Sequence, residues 1–359
     1  MHRNKLLGYL AMFFLMIFNC FGQNELAVWE SEVDSIGEQF METPGFVYLV
    51  SKGDHIISKK AYGLANYELD VPLKVDYCFA IGSLSKQFIA ISVLKLVEQG
   101  KLTLDAPIQS YLPWFNAKEN ITIESLLSHT SGIQEFFRNG DFLEVFALPT
   151  SRKKMIAYLS KEVVNDTKPG EKYNYSNAGY AYLTLLIEAV TQKEIGTYLD
   201  ETIFKPLQMN STYWGTPGII KKGQVSGYNI TRDEHKTLEK ETYLFANITW
   251  ALGAGAIYST AADMNRWMTG LFSEKLISKN TLEMAIRPYE LNDGSESNYG
   301  FGFEIGENER HKVITHSGMI DGFQSNMIYM PSKKIFGIGM SNRIDFAPRF
   351  IYGIKNLKL

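Results

Sequence analysis

From Ser83 to about Val97 the chain carries Leu84, Phe88, Ile89, Ile91, Val93, Leu94 and Val97, with Gly100 just beyond. That spacing predicts a helix apolar on nearly all of its faces and closed by a glycine. Such a helix cannot lie on a surface, so other elements must be layered round it. The flanks supply them. Trp29, Val33, Ile36 and Phe40 recur at helical spacing and end at Pro44-Gly45, after which Phe46–Val50 and His55–Ala61 read as a β-hairpin about Ser51-Lys52-Gly53-Asp54. Helical stretches follow around Ile123–Ser128, Arg152–Ser160, Gly179–Val190 and Thr197–Phe204, separated by loops rich in Gly, Pro, Asn and Ser. Strand patterns return at Val313–His316, Gln324–Met330 and Ile335–Met340. This order predicts an α+β fold: an antiparallel sheet built from both chain ends, flanked by helices, with an inserted and mainly helical lobe. No repeat, low-complexity tract or linker marks a second domain, so residues 23–359 are expected to form one.

At 359 residues the chain can bury a large core, and its 45% hydrophobic content excludes a disordered chain. Thirty-six Lys and Arg against 39 Asp and Glu leave a formal charge of −3. Nucleic acid is therefore excluded as a partner class, and nothing implies a stable protein partner. The first residues differ from the rest. His2, Arg3 and Lys5 precede an apolar run from Leu6 to Phe18, then Cys20 and Gly22, the order of a secretory signal peptide over residues 1–22. Cleavage after Gly22 is favoured over lipidation at Cys20, because Asn19 is larger than the residue such sites prefer. The apolar run is shorter than the roughly 20 residues of a spanning helix. The expected location is periplasmic or extracellular. Removal of Cys20 would leave Cys78 alone, read here as a small buried hydrophobe and not as a reactive thiol.

Ser83 and Lys86 stand three apart at the start of the buried helix, so both side chains share one face. A serine hydroxyl needs a neighbour to take its proton, and a lysine can do so only when burial and nearby positive charge lower its pKa. The helix N-terminus also presents free N–H groups that can stabilise an oxyanion. Ser-x-x-Lys alone is a weak pattern that surface helices carry by chance. Two further elements follow in order: Tyr175-Ser176-Asn177, after Lys168-Pro169-Gly170 and before a helix, and His316-Ser317-Gly318 at the end of a strand. A Ser-x-x-Lys helix, a hydroxyl-bearing triplet and a Lys/His-x-Gly strand together make a specific signature. Taken singly, each has a plainer reading: Tyr-Ser-Asn as a helix cap, His-Ser-Gly as an ordinary strand end. His311 and His316, five apart on a strand, face opposite sides, so no metal site is expected. His129 has no Gly-x-Ser-x-Gly partner and reads as a loop-holding residue, and Ser259 or Thr260 reads as a helix cap.

With these motifs, and with Leu126–Gly132, Tyr173–Tyr180, Ile203–Leu207, Tyr258–Met264 and Tyr299–Phe303 in order, the sequence resembles the serine β-lactamase-like superfamily. The resemblance is strongest to the class C branch, which also holds D-Ala-D-Ala carboxypeptidases, D-aminopeptidases and esterases. It implies the β-lactamase/transpeptidase-like fold and a Ser83 acyl-enzyme. Lys86 would accept or relay the serine proton. Tyr175 would pass a proton to the leaving group, its pKa lowered by a cationic Lys86. Asn177 would orient Lys86, His316 would face Tyr175 across the cleft, and Gly318 would leave room for substrate beside Ser317. The N–H groups of Ser83 and Met319 would form the oxyanion hole. No cofactor is implied. Histidine at 316, where many β-lactamases carry lysine, argues against efficient β-lactam hydrolysis and leaves D-peptides and esters, a cell-wall-derived peptide among them. A module that binds penicillin or a similar ligand without turnover is the competing class.

Overall fold

The computed structural model describes residues 25–135, 152–161, 163–216, 221–230, 238–240, 248–309 and 311–357. The signal-peptide reading of residues 1–22 lies outside them. Helix α1 covers residues 25–37, followed by strands β1 (Phe46–Lys52) and β2 (His55–Tyr62). Helix α2 (Ser85–Glu98) comes next, then α3 (Ile123–Leu127), α4 (Arg152–Leu159), α5 (Asn177–Thr191) and α6 (Ile195–Leu199). Helices α7 (Ala261–Leu271) and α8 (Lys279–Ala285) lead into strands β3 (Glu304–Asn308), β4 (His311–Ile320), β5 (Phe323–Met330) and β6 (Ile335–Ser341).

Six strands form one antiparallel sheet in the order β3-β4-β5-β6-β1-β2. Both chain ends meet inside it, where β1 pairs with β6 from Phe46↔Ser341 to Lys52↔Ile335. Side-chain alternation splits the strands between two cores. Phe46, Tyr48 and Val50 of β1 face Trp29 and Val33 of α1 and Ile351 and Ile354 of a C-terminal 3₁₀ helix. Val47 and Leu49, with Ile338 and Met340 of β6, face the larger core that holds α2. The fold is therefore the expected α+β sheet built from both ends.

Eleven of the 14 residues of α2 are buried, Ser85, Lys86, Gln87 and Ser92 among them, which explains its lack of a polar face. Gly100, at φ +67°, lies just beyond its end and takes the left-handed conformation that glycine adopts without strain. Cys78 is buried, its Sγ 3.3 Å from Ser211 O, and burial raises the thiol to about 12, which fits an inert hydrophobe. Several elements escape the sequence pattern. Strand β3 is five residues with a mixed burial pattern. The strands Phe79–Ala80, Tyr213–Trp214 and Ile257–Ser259 form a small separate sheet, too short for periodicity to register. The predicted helix over Thr197–Phe204 is α6 continued as a π-helical turn, Asp200–Phe204.

Trp267 ties α7, which packs on β6 and β1, to α2: its ring stacks on Phe88 with centroids 4.2 Å apart and its Nε1 donates to Gln87 Oε1 at 2.9 Å. Trp267→Ala should lower the unfolding free energy by about 3–5 kcal/mol in urea denaturation. A loss under 1 kcal/mol would show that α2 is held elsewhere.

Candidate active site

The nucleophile position is set by a 3₁₀ turn, Gly82–Leu84, that opens into α2. Gly82 has φ +53°, and a Cβ there would lie 2.7 Å from Met319 N. Gly318 is equally constrained: a Cβ would meet Ile81 O at 2.1 Å. These glycines let strand β4 pass directly beside the Ser83 turn. Gly318 therefore serves the approach of β4 to the protein's own backbone, a constraint separate from the expected room for substrate. Asp321 and Gly322 form a two-residue loop between Ile320 and Phe323. Counting back from it, Ser317 and Met319 fall at positions whose N–H groups point away from β5, toward the turn. Met319 N thus faces the turn that carries Ser83.

Lys86 is completely buried. Its Nζ lies 3.1 Å from Ser83 Oγ, 2.8 Å from Asn177 Oδ1 and 3.1 Å from Ala254 O. A neutral amine donates twice and accepts once. With Asn177 and Ala254 as acceptors, its lone pair remains for the Ser83 hydroxyl. Burial lowers Lys86 from 10.5 to about 7, against the opposing pull of Glu135. No neighbouring cation is needed, contrary to the sequence-based requirement. Glu135 was not singled out from the sequence. It accepts from Ala178 N at 3.1 Å, and from Asn177 Nδ2 at 3.4 Å, completing a chain Glu135–Asn177–Lys86–Ser83.

Tyr175 sits over this group, with Lys86 Nζ 4.7 Å from its ring centroid. Burial raises the phenol above its ordinary value, and a hydrogen bond with Ser83 offsets only part of that. The expectation of a lowered tyrosine pKa is overturned: burial of the phenol is the dominant influence, and Lys86 is itself lowered to about 7. His129 fixes the loop below. Its O accepts from Asn174 N, its Nδ1 accepts from Ser176 N at 3.0 Å, and its ring packs 4.3 Å from that of Tyr175. Ser176 caps α5 through Gly179 N.

His316 is buried, with its ring 6.4 Å from that of Tyr175. Its bonds go elsewhere. Tyr299 Oη lies 2.9 Å from Nε2, and Ser317 O lies 2.7 Å from Nδ1. The carbonyl can only accept, so Nδ1 carries the proton and Nε2 receives the phenol's hydrogen. Burial holds His316 neutral, lowered to about 3. Both ring nitrogens are occupied, which makes His316 a neutral wall and not a proton carrier in this arrangement. Tyr299 belongs to Tyr299–Phe303, a stretch noticed in the sequence without a role. Ser83, Tyr175, Asn177, His316, Ser317 and Met319 line one cleft of about 590 Å³ together with Glu304. Among the described residues no cluster of His, Cys, Asp and Glu could hold a metal ion.

The sequence pattern of the Beta-lactamase family matches residues 33–357. The chain belongs to the Beta-lactamase family. This member is 28% identical over 338 residues to Penicillin-binding protein 4* of Bacillus subtilis, covering 89% of this chain and 72% of that protein. Its fold matches an octameric penicillin-binding protein homologue from Pyrococcus abyssi with a TM-score of 0.78 at 26% identity, over 92% of this chain and 76% of that one. It also matches the D-amino acid amidase of Ochrobactrum anthropi SV3, with a TM-score of 0.71 at 22% identity, over 94% and 95% of the two chains. The Beta-lactamase family fold is that of serine hydrolases, and the described architecture is its β-lactamase/transpeptidase form.

A neutral Lys86 is required to accept a proton, and its neutral fraction grows as pH rises through about 7. The rate at which an uncharged fluorophosphonate labels Ser83 should therefore climb with pH and level off above about 7. Glu135→Gln removes a charge that raises Lys86, so the limb should shift to lower pH. A limb near 10 in the native protein would contradict the neutral-lysine assignment.

Proposed function

We propose that the protein is an exported serine hydrolase that forms an acyl-enzyme at Ser83 from an amide, peptide or ester and releases the acyl group to water. The observation that carries this reading is the buried Lys86 amine, bonded to two acceptors and to the Ser83 hydroxyl. In acylation the Ser83 oxygen attacks the carbonyl carbon while its proton passes to Lys86. Ser83 N and Met319 N receive the oxyanion. Tyr175, a phenol in its neutral form, gives its proton to the leaving group and is reprotonated from Lys86. Water then repeats the sequence on the ester, giving the free acid and restoring Ser83. Every step is proton or acyl transfer by side chains, so no cofactor enters it.

Among substrates, amides, esters and D-peptides with no free carboxylate on the leaving group are favoured over β-lactams. A β-lactam brings a carboxylate, and the neutral His316 supplies no charge to receive it. Of the named relatives, the D-amino acid amidase supports amide donors. Export rests on the leader-like residues 1–22, and the periplasm or exterior is where a cell-wall peptide would be met.

A fluorescent fluorophosphonate or penicillin should label the native protein and not Ser83→Ala, and Ser83→Ala should lower ester turnover by at least about 10³-fold. Labelling that survives Ser83→Ala would refute the assignment. Stoichiometric labelling with no turnover of any ester or D-peptide would favour a binding module.

A further inference from the structure

The cleft follows the edge of β4 that is left open where β3 stops pairing. Glu304, the first residue of β3, pairs with Thr315 and lines the cleft. Thr315 stands four residues before Met319, which is about 13 Å along a strand. Glu304 therefore lies at the His316 end of the cleft, away from the oxyanion position. Its carboxylate also acts electrostatically on Tyr173, Tyr175 and Tyr299, which places it near the phenol assigned to protonate the leaving group.

We propose that Glu304 selects acyl donors whose departing group carries a positive charge. The proposal rests on the acyl-enzyme reading above. His316 is neutral, with both ring nitrogens engaged. The described residues lining the cleft include the acids Glu304 and Asp321 and no lysine or arginine. Asp321 is engaged at the far end, accepting from Asn229 Nδ2 at 2.6 Å. The Glu304 carboxylate is half-buried and accepts from Thr315 Oγ1 through Oε2 at 3.1 Å, which leaves Oε1 for a ligand. An anionic leaving group would meet a carboxylate and an uncharged imidazole there. An ammonium group would gain a charge-assisted interaction. The other wall is apolar, with Ala251, Ala254, Met319, Ile320 and Ile344, and Met319 is 65% exposed at its lip. That wall suits an uncharged acyl portion.

Three butyrate esters test the inference: those of choline, of 3,3-dimethylbutanol and of glycolic acid, which differ chiefly in leaving-group charge. In the native protein kcat/KM should be about tenfold higher for choline than for its neutral isostere and lowest for glycolate. Glu304→Gln, which keeps the shape and the acceptor for Thr315, should abolish the choline preference, read as the ratio of kcat/KM for the choline ester to that for its neutral isostere in the same variant. Tetramethylammonium should likewise slow fluorophosphonate labelling of the native protein and not of Glu304→Gln, a readout independent of ester turnover. Labelling or turnover with no charge preference, or a preference that survives Glu304→Gln, overturns this inference alone. Loss of all labelling and turnover in the native protein overturns the acyl-enzyme reading, and this inference with it.

Discussion

An ammonium group inside an apolar helix has no water to stabilise it, and the rest of this site follows from that constraint. Lys86 is enclosed by α2, α5 and the backbone about Ala254, which supplies two hydrogen-bond acceptors but no contacting carboxylate. A fall from 10.5 to about 7 corresponds to about 5 kcal/mol against the charged form. The protein thereby keeps a base beside Ser83 near neutral pH. Glu135, one residue removed through Asn177, restrains that fall without forming an ion pair.

The sheet and the buried helix have to meet at one point for this base to be useful, and small residues make the meeting possible. Gly82 and Gly318 bring the Ser83 turn and β4 to within backbone contact, which the proposed pair of oxyanion donors, one from each, requires. Ser325 Oγ, from β5, donates to Ile81 O at 2.9 Å and pins the turn from the other side. Oxyanion geometry here is thus a property of the core, since moving either donor means moving a strand or α2.

The helix from Ser83, the hairpin, the last three strands and the Ser83–Lys86 pair were all legible in the sequence, whereas Asn177 was implied only by the family resemblance. Each of the former announces itself locally, by an apolar run, by alternation or by a three-residue spacing. What escaped depends on neighbours that are distant along the chain. Glu135 and Glu304 are ordinary carboxylates until folding sets one against the start of α5 and the other against Thr315. Gly318 was legible as a required glycine, but its reason lies in Ile81, 237 positions away by number. The direction of the Tyr175 shift was misread for a related cause: sequence places a lysine near a tyrosine, whereas burial of the phenol decides the direction.

Burial acts in the same sense on Lys86, Tyr175 and His316, favouring the uncharged form of each. In the proposed mechanism these groups start neutral, and charge develops as Lys86 takes the serine proton and the reacting oxygen becomes an oxyanion that backbone donors would meet. The site also separates two functions that a lysine at position 316 would join. In the proposed mechanism proton transfer stays with Lys86 and Tyr175, while the strand position is a neutral wall held by Tyr299 Oη and Ser317 O. The imidazole then contributes shape without charge. Selection among leaving groups passes to whichever ionised side chain faces the same end of the cleft, and among the described lining residues that side chain is a carboxylate.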